Sequence, residues 1–503
     1  MIPLTPLSIL PPEVLADIIK RLPIDEHVIS IGLVSKSLAP LIFCDIHLAH
    51  VHLNHQLQFT DLQTIFKNKE ATNIFADWLP FNYRSLLFGK LLSTKNIFKN
   101  DSFKLHLNKD IMSDINATKM IRLLLSNTVL FDPNCQNGNP LTLVVELSFW
   151  ETAKVFISDS RVNPSINNNF PLYESVREGR MDVVELLLAT DKVDPSTNSN
   201  GVICEAAYNG HYKIAQLLLS HPRVDPSAEN NRAIRGAASS GHLEIVKLLH
   251  ADSRVDPSAD DNEAIRYASS NGHAETIKYL LSDPRVDPTA NNNYAICIAS
   301  SEGHLHAVQV LLADPKVDPT ASDNSPIRFA SSRGHMQIVQ LLLTHPRVDP
   351  STQFNFPIRN ASQQGHDETV RLLLADPRVD PSDYNNCAIR WACDKNRTKV
   401  VQLLLADPRV DPGAEDNYAL GRACCRGNLE TVKMLLASGR VDASANGNHA
   451  VKEAVRMNWE EVVQVLAETG CIMDVGEAVE LAKEGRLIKV VKVLEKYCVG
   501  GSV

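Results

Sequence analysis

The chain has 503 residues, a formal net charge of −9, a hydrophobic fraction of 44% and a charged fraction of 22%. This composition excludes wholesale disorder, and the length excludes a single compact core, so several domains or a repeat array are expected. Phosphate binding needs a clustered excess of Lys and Arg, which the chain lacks, so no nucleic-acid partner is expected.

The amino terminus and the cysteines indicate a reducing compartment. Residues 1–10 lack a charged start followed by a long apolar run, so a signal peptide is not expected. No stretch approaches the roughly 18 to 20 apolar residues of a membrane span. The ten cysteines lack zinc-ligand or disulfide spacing. We therefore expect a cytoplasmic and/or nuclear protein without a membrane partner.

Residues 1–50 have the pattern of three short helices. Proline and glutamate stand in the first turn of the first helix. Its apolar stripe consists of Leu15, Ile18, Ile19 and Leu22, and Pro23 ends it. Two further apolar patterns follow. Three such helices have more apolar surface than a core of this size can bury, which predicts docking on a partner.

The segment LPPEVLADIIKRLPIDEHVISIGLVSKSLAPLIF, residues 10–43, is similar to the F-box in its Leu-Pro-Pro-Glu start, its later Leu-Pro pair and its Val-Ser-Lys run. The family usually follows that run with an aromatic residue, where Leu38 stands here. The resemblance implies docking to the Skp-type adaptor of a cullin–RING ubiquitin ligase. The docking residues would be Leu10, Pro11, Pro12, Glu13, Leu15, Ile18, Leu22, Pro23 and Val34. The other interpretation is a small helical cap unrelated to ubiquitin.

Residues 51–116 lack any repeat and show short amphipathic patterns at 62–66, 74–79 and 83–92. They predict a helical spacer, because a flexible linker would be richer in Gly, Ser and Pro.

From residue 132 onward an Asp-Pro pair or a near variant recurs every 31 residues, which defines eleven repeats over residues 132–472. Positions are counted from the first residue of each repeat. These residues are Asp132, Asn163, Asp194, Asp225, Asp256, Asp287, Asp318, Asp349, Asp380, Asp411 and Asp442. A half repeat, Thr118 to Leu125, precedes the array, and a divergent helix pair, Met473 to Tyr497, should cap it. The predicted domain is 117–498.

Each repeat has the apolar spacing of two short helices. Positions nine, ten and thirteen line one face of the first helix, and positions 22, 25 and 26 line one face of the second. A Gly at position seventeen ends the first helix in left-handed geometry. Position seven is Asn in ten of the eleven repeats, which predicts a tight left-handed turn there.

The run GHLEIVKLL at 241–249 and the helix starts SPIR at 325–328 and FPIR at 356–359 resemble the ankyrin repeat. The departure is two residues fewer than the family's usual 33. The resemblance implies an all-α fold, an ankyrin-type helical-repeat solenoid preceded by the small three-helix F-box-like domain.

Positions eight, twelve and sixteen share a helix face, and they vary between repeats while the surrounding residues do not. In repeats five to ten this face and the adjoining turns carry aromatic residues, which often anchor protein interfaces. The predicted substrate-binding residues are Tyr267, Tyr294, Phe329, Phe354, Phe356, Tyr384, Trp391 and Tyr418. In the alternative interpretation, position twelve packs between repeats.

Two other residue types recur at fixed positions. Arginine at position eleven could hold an acidic peptide, but bonds to loop carbonyls or to an adjacent Asp are favoured. Histidine at position eighteen is expected in a turn, because packed helices lie roughly 8 to 10 Å apart, too far for shared metal ligation.

No nucleotide, hydrolase, zinc-protease or kinase motif is present, so no catalytic residue, metal or cofactor is expected. The sequence predicts a non-catalytic substrate receptor of an SCF-type ubiquitin ligase. The alternative is an ankyrin-repeat protein-interaction scaffold without a ubiquitin-ligase role.

Overall fold

The computed structural model describes residues 114–125, 133, 135–469 and 475–498. Within these residues all regular secondary structure is helical, in agreement with the predicted all-α fold. The helices are α1 Asp114–Leu125, α2 Cys135–Glu146, α3 Trp150–Ser158, α4 Ile166–Arg177, α5 Met181–Leu188, α6 Thr197–Tyr208, α7 Tyr212–Leu219, α8 Ala228–Ser239, α9 Leu243–His250, α10 Ala259–Ser270, α11 Ala274–Leu280, α12 Ala290–Glu302, α13 Leu305–Leu312, α14 Ala321–Arg333, α15 Met336–Leu343, α16 Thr352–Gln364, α17 Asp367–Ala375, α18 Asp383–Asp394, α19 Thr398–Ala406, α20 Ala414–Arg426, α21 Leu429–Ala437, α22 Ala445–Arg456, α23 Glu460–Glu468, α24 Val475–Glu484 and α25 Ile488–Cys498.

The described chain forms two compact bodies. The amino-terminal body holds the described residues up to Ala233 together with Ala251–Arg254, and the carboxy-terminal body holds Ile234–His250 and the described residues from Val255 onward. Helices α1–α7 belong to the first body, α9–α25 belong to the second, and the division falls within α8. All eight predicted substrate-binding residues lie in the carboxy-terminal body.

The helix bounds follow the 31-residue period of the sequence. From repeat two to repeat eleven the first helix starts every 31 residues, from Ile166 to Ala445, and the second does so from Met181 to Glu460. In the carboxy-terminal body each first helix packs on the first helix of the next repeat, as α12 does on α14, and second helices pack likewise, as α11 does on α13. Neighbouring repeats therefore bury the apolar faces that one helix pair cannot bury alone.

The core consists of the small and aliphatic residues that repeat with this period. In repeat five Ile265, Ala268, Ile277 and Leu280 are buried. The alanines at position thirteen are fully buried, so successive first helices approach closely there: Ala237, Ala268, Ala299, Ala330, Ala361, Ala392 and Ala423. One detail differs from the predicted pattern, because Leu281 is only half-buried at the end of the second helix.

The amino-terminal predictions lie outside the described residues. These are the F-box-like domain of residues 1–50, with its nine adaptor-docking residues between Leu10 and Val34, and the spacer of residues 51–116 up to residue 113. Helix α1 covers the predicted half repeat and begins at Asp114, while α24 and α25 occupy the region of the predicted capping pair.

Candidate partner-binding surface

In repeats two to eleven, three consecutive residues at the start of the first helix have left-handed rather than helical backbone and form the loop that opens the repeat. In repeat eight these are Gln353, Phe354 and Asn355, with φ of 50°, 56° and 53°. Repeats two to eleven all show this run at positions five, six and seven. The left-handed turn predicted at position seven is confirmed, but positions five and six share it. Bulky residues rarely adopt positive φ, so Phe354 is an uncommon residue for this conformation.

The asparagine at position seven ties its loop to the next repeat. Asn293 Oδ1 accepts a hydrogen bond from the backbone N–H of Asp318 at 2.7 Å. The equivalent bonds of 2.7 to 2.9 Å join Asn200 to Asp225, Asn262 to Asp287, Asn324 to Asp349, Asn355 to Asp380, Asn386 to Asp411 and Asn417 to Asp442. A single side chain therefore fixes both the turn and the register between repeats.

The aspartate at position one closes a turn of its own. In repeat four the Oδ1 atom of Asp225 accepts hydrogen bonds from the hydroxyl and the backbone N–H of Ser227, at 2.6 and 2.9 Å. The Ser227 hydroxyl and then its N–H lower the pKa of this carboxyl, because both donate to its charged form. The repeated aspartates therefore stabilise the loop.

The arginines at position eleven bond to the loop of their own repeat. Arg266 donates to the backbone carbonyls of Asp260 and Asp261, both at 3.0 Å. Arg328, Arg359 and Arg390 likewise donate to carbonyls at position five, at 2.9 to 3.2 Å. Arg235 instead contacts the Asp260 carboxylate of the next repeat at 2.6 Å. The favoured interpretation of this arginine row, bonds to loop carbonyls or an adjacent Asp, is confirmed.

Four of these arginines contact six of the eight predicted aromatic rings. Arg266 lies 5.8 Å from the ring centroid of Tyr294 in the next repeat, and Arg390 lies 5.4 Å from that of Tyr418. Arg328 stacks on two rings, Phe356 at 5.0 Å and Phe329 at 5.8 Å. Arg359 also stacks on two, Tyr384 at 4.7 Å and Trp391 at 5.7 Å. Each of these contacts is a cation–π interaction.

We call the eight predicted aromatic residues, six of which lie on an arginine, and the four stacking arginines the arginine–aromatic surface. None of the eight rings is buried. Tyr267, Tyr294, Phe329, Phe354, Tyr384 and Tyr418 are exposed, and Phe356 and Trp391 are half-buried. At position twelve, Tyr267 and Phe329 are exposed, while Trp391 is half-buried against Arg359 of the preceding repeat.

The contacts between these arginines and the aromatic rings were not predicted from the sequence. The signal was present in the spacing, since Arg266 and Tyr294, Arg328 and Phe356, and Arg390 and Tyr418 are each 28 residues apart. That separation joins position eleven of one repeat to position eight of the next. The contact depends on how repeats stack, which periodicity alone does not give.

The histidines at position eighteen bond to the preceding repeat. The Nε2 atoms of His273, His304, His335 and His366 lie 2.8 to 3.0 Å from the backbone carbonyls of Ser239, Ser270, Ser301 and Ser332. A carbonyl only accepts, so each Nε2 carries the proton. In later repeats Arg397 and Trp459 donate to the equivalent carbonyls at 3.0 Å. These are the predicted turn histidines, with a role between repeats.

A family model described as ankyrin repeats (3 copies) matches residues 203–292, 234–323, 264–354, 327–416 and 389–476. Together these matches cover residues 203–476, which is 274 of 503. No F-box domain was detected. A search of curated proteins gave no match. In the described part of the chain, every helix is too short or too polar to cross a membrane.

Proposed function

Because the chain belongs to the ankyrin-repeat family, whose repeats act in protein–protein interaction, we propose that the arginine–aromatic surface binds a protein substrate. We further propose that the chain is the non-catalytic substrate-receptor subunit of an SCF-type cullin–RING ubiquitin ligase, in the cytoplasm and/or nucleus. In this role residues 1–50 dock the Skp-type adaptor and the repeats hold the substrate.

The observation that carries the substrate-binding part is the exposure of aromatic rings on a fixed support. Tyr294 and Tyr418 are 40% and 41% exposed, although each ring lies on an arginine of the preceding repeat. Such rings keep their position without a partner, so little side-chain entropy is lost on binding. Aromatic residues held in this way are typical interface anchors.

The supporting arginines are themselves held in place. Arg359 is 8% exposed, donates to the carbonyl of Gln353 at 2.9 Å and lies against two rings. Within the described chain no carboxylate lies within 4.0 Å of the guanidinium groups of Arg266, Arg328, Arg359 or Arg390. Carbonyl dipoles and ring faces stabilise these cations instead. Each arginine therefore holds the ring that it contacts in place.

The ubiquitin-ligase part of the proposal depends on the resemblance of residues 10–43 to the F-box. The scaffold without a ubiquitin-ligase role is the second candidate, and it is favoured by the lack of a detected F-box domain. The two candidates share the arginine–aromatic surface and differ only in the partner of the amino-terminal segment.

Binding of the full-length chain to a purified Skp-type adaptor in complex with its cullin separates the two candidates. We expect binding by the wild type and a loss of at least about tenfold for Leu10→Ala with Pro11→Ala, because two anchor side chains are truncated. Thr5→Ala with Ser8→Ala changes two residues that precede the motif and should bind like the wild type. If the wild-type chain does not bind the adaptor, the scaffold role replaces the ligase role.

A further inference from the structure

Two aromatic side chains stand side by side at the tips of neighbouring loops. Phe354 and Tyr384 belong to the left-handed runs of repeats eight and nine, and their ring centroids are 6.2 Å apart at an interplanar angle of 44°. Their exposed fractions are 66% and 56%. A pair of rings so exposed offers apolar and π surface to a partner.

The charge around this pair is negative. At positions four to six, repeats two to eleven contain no Lys, Arg or His. In the carboxy-terminal body the same positions contain six acids: Asp260, Asp261, Asp323, Asp383, Glu415 and Asp416. Along the row of loops the ring pair is flanked by Asp323 of repeat seven and by Glu415 and Asp416 of repeat ten, all three exposed.

Two of the three flanking carboxylates form hydrogen bonds to amides, and none of the three forms an ion pair, within the described part of the chain. Asp323 accepts a hydrogen bond from the amide of Gln353 at 3.3 Å, and Glu415 accepts one from the amide of Asn385. Among the described residues no Lys, Arg or His nitrogen lies within 4.0 Å of Asp323, Glu415 or Asp416. These three carboxylates are therefore exposed to solvent without an ion pair among the described residues.

The arginines beside the tips are already bonded within the chain. Arg328 and Arg390 are half-buried and donate to the backbone carbonyls of Asp323 and Tyr384 at 3.4 and 3.1 Å. The guanidinium of Arg359 lies against Tyr384 at 4.7 Å but is only 8% exposed, and it already donates to the Gln353 carbonyl. A partner that approaches the loop tips meets rings and carboxylates first. An acidic or phosphorylated segment would be repelled there, whereas a lysine or arginine is attracted by both groups.

We propose that the tip surface, formed by Phe354 and Tyr384 with Asp323, Glu415 and Asp416, binds a basic segment of the protein partner. A lysine or arginine side chain lies over the outward faces of the two rings, and the flanking carboxylates attract its charge. This inference rests on the proposed substrate-binding function and narrows the partner to one with an exposed basic segment.

The test uses three dye-labelled peptides of equal length, with lysine, glutamine or glutamate at the same places in a Gly-Ser background. Binding to the full-length chain is followed by fluorescence anisotropy at about 0.15 M salt, where distant charges are screened. We expect the lysine peptide to bind at least about tenfold tighter than the other two. Phe354→Ala with Tyr384→Ala should weaken it about tenfold, because cation–π contacts with two rings are lost while the net charge is unchanged.

Two matched controls separate the tip surface from general attraction to an acidic protein. Tyr208→Ala with Tyr212→Ala removes two exposed rings from the amino-terminal body and should not weaken lysine-peptide binding. The double variant Asp323→Asn with Asp416→Asn should weaken binding of the lysine peptide. Its control, Glu368→Gln with Glu430→Gln, makes the same change in net charge on second helices and should weaken binding less. Equal binding of the lysine and glutamine peptides, or equal effects of test and control variants, would overturn the proposal. The proposed substrate-binding function has a separate test. If it is wrong, the variant Tyr294→Ala with Tyr418→Ala captures the same cellular proteins as the wild type.

Discussion

His304 covers Gly272 of the preceding repeat, and its Nε2–H donates to the carbonyl of Ser270 at 2.9 Å. Gly272 has a φ of 78°, and a Cβ on this residue would lie 2.5 Å from Nδ1 of His304. The glycine is therefore required twice, once for the turn that ends the first helix and once for the ring of the next repeat.

Alanine at position 272 should destabilise the array more than the backbone strain alone does. We expect Gly272→Ala to cost about 2 to 3 kcal/mol, because the imidazole must move and lose its bond. Gly439→Ala is the matched control, since its φ is 63° but no atom lies within 4 Å of the added carbon. It should cost about 1 to 2 kcal/mol. Thermal unfolding followed by circular dichroism measures both, and equal losses would show that the histidine contact contributes nothing.

Two substitutions at position 293 separate the turn from the bond between repeats. Asn293→Gly keeps the left-handed backbone but loses the acceptor for the Asp318 N–H, so a loss of about 1 kcal/mol is expected. Asn293→Ala loses both the acceptor and the tolerance for a φ of 58°, and about 2 to 3 kcal/mol is expected. Denaturant unfolding of both variants measures the difference. If the glycine variant is as stable as the wild type, the hydrogen bond between Asn293 and Asp318 contributes no stability.

Asp283 should make stability depend on pH through its contacts with Arg285 and His250, and its counterpart Asp376 lacks the histidine contact. Its carboxylate contacts Arg285 and the His250 Nε2, both at 2.7 Å, and His250 Nδ1 lies 2.9 Å from the Tyr279 hydroxyl. The Arg285 hydrogen bond, with a smaller contribution from His250, lowers the pKa of Asp283. Its stabilisation is therefore complete above the unfolded pKa of about 3.9 and is lost as the pH falls through the lower folded pKa.

Asp283→Asn should lower Tm at pH 7, and the difference from the wild type should shrink as the pH falls below about 4. Asp376→Asn is the control, since Asp376 contacts its own Arg378 in the same way, and among the described residues no histidine bonds to it. The Asp283 variant should lose more. If the two variants have the same Tm between pH 4 and pH 7, the His250 contact contributes no stability.

The sequence predicted those features of the fold that are determined by residue type and spacing within one repeat. The helix pairs, the buried alanines at position thirteen, the left-handed Asn at position seven and the carbonyl bonds of Arg266 follow from residue types at fixed spacing. Asn293 also bonds to Asp318 of the next repeat, and His304 to Ser270 of the previous one, and neither contact was predicted. Such contacts need the rotation and distance between repeats, which apolar periodicity does not define.

For the aromatic residues, too, some features were predicted from the sequence and others depend on how the repeats pack. Their gathering in repeats five to ten was visible in the sequence, but their exposure and their stacking on arginines depend on the packed loop. Phe354 is the clearest case, because no propensity predicts phenylalanine at a φ of 56° with two thirds of its surface exposed.

The central claim is that the arginine–aromatic surface holds the protein partner, and capture from a cell lysate by the full-length chain tests it most directly. The test variant is Tyr294→Ala with Tyr418→Ala, and the control is Tyr208→Ala with Tyr212→Ala, whose rings are also exposed. We expect wild type and control to capture the same proteins. The test variant should bind one or more of them at least about thirtyfold more weakly, because a single ring that contacts the partner contributes about 2 kcal/mol. Its Tm should stay within a few degrees of the wild type. Unchanged capture, or a Tm lower by many degrees, would contradict the account, since these rings would then serve the fold and the partner would bind elsewhere.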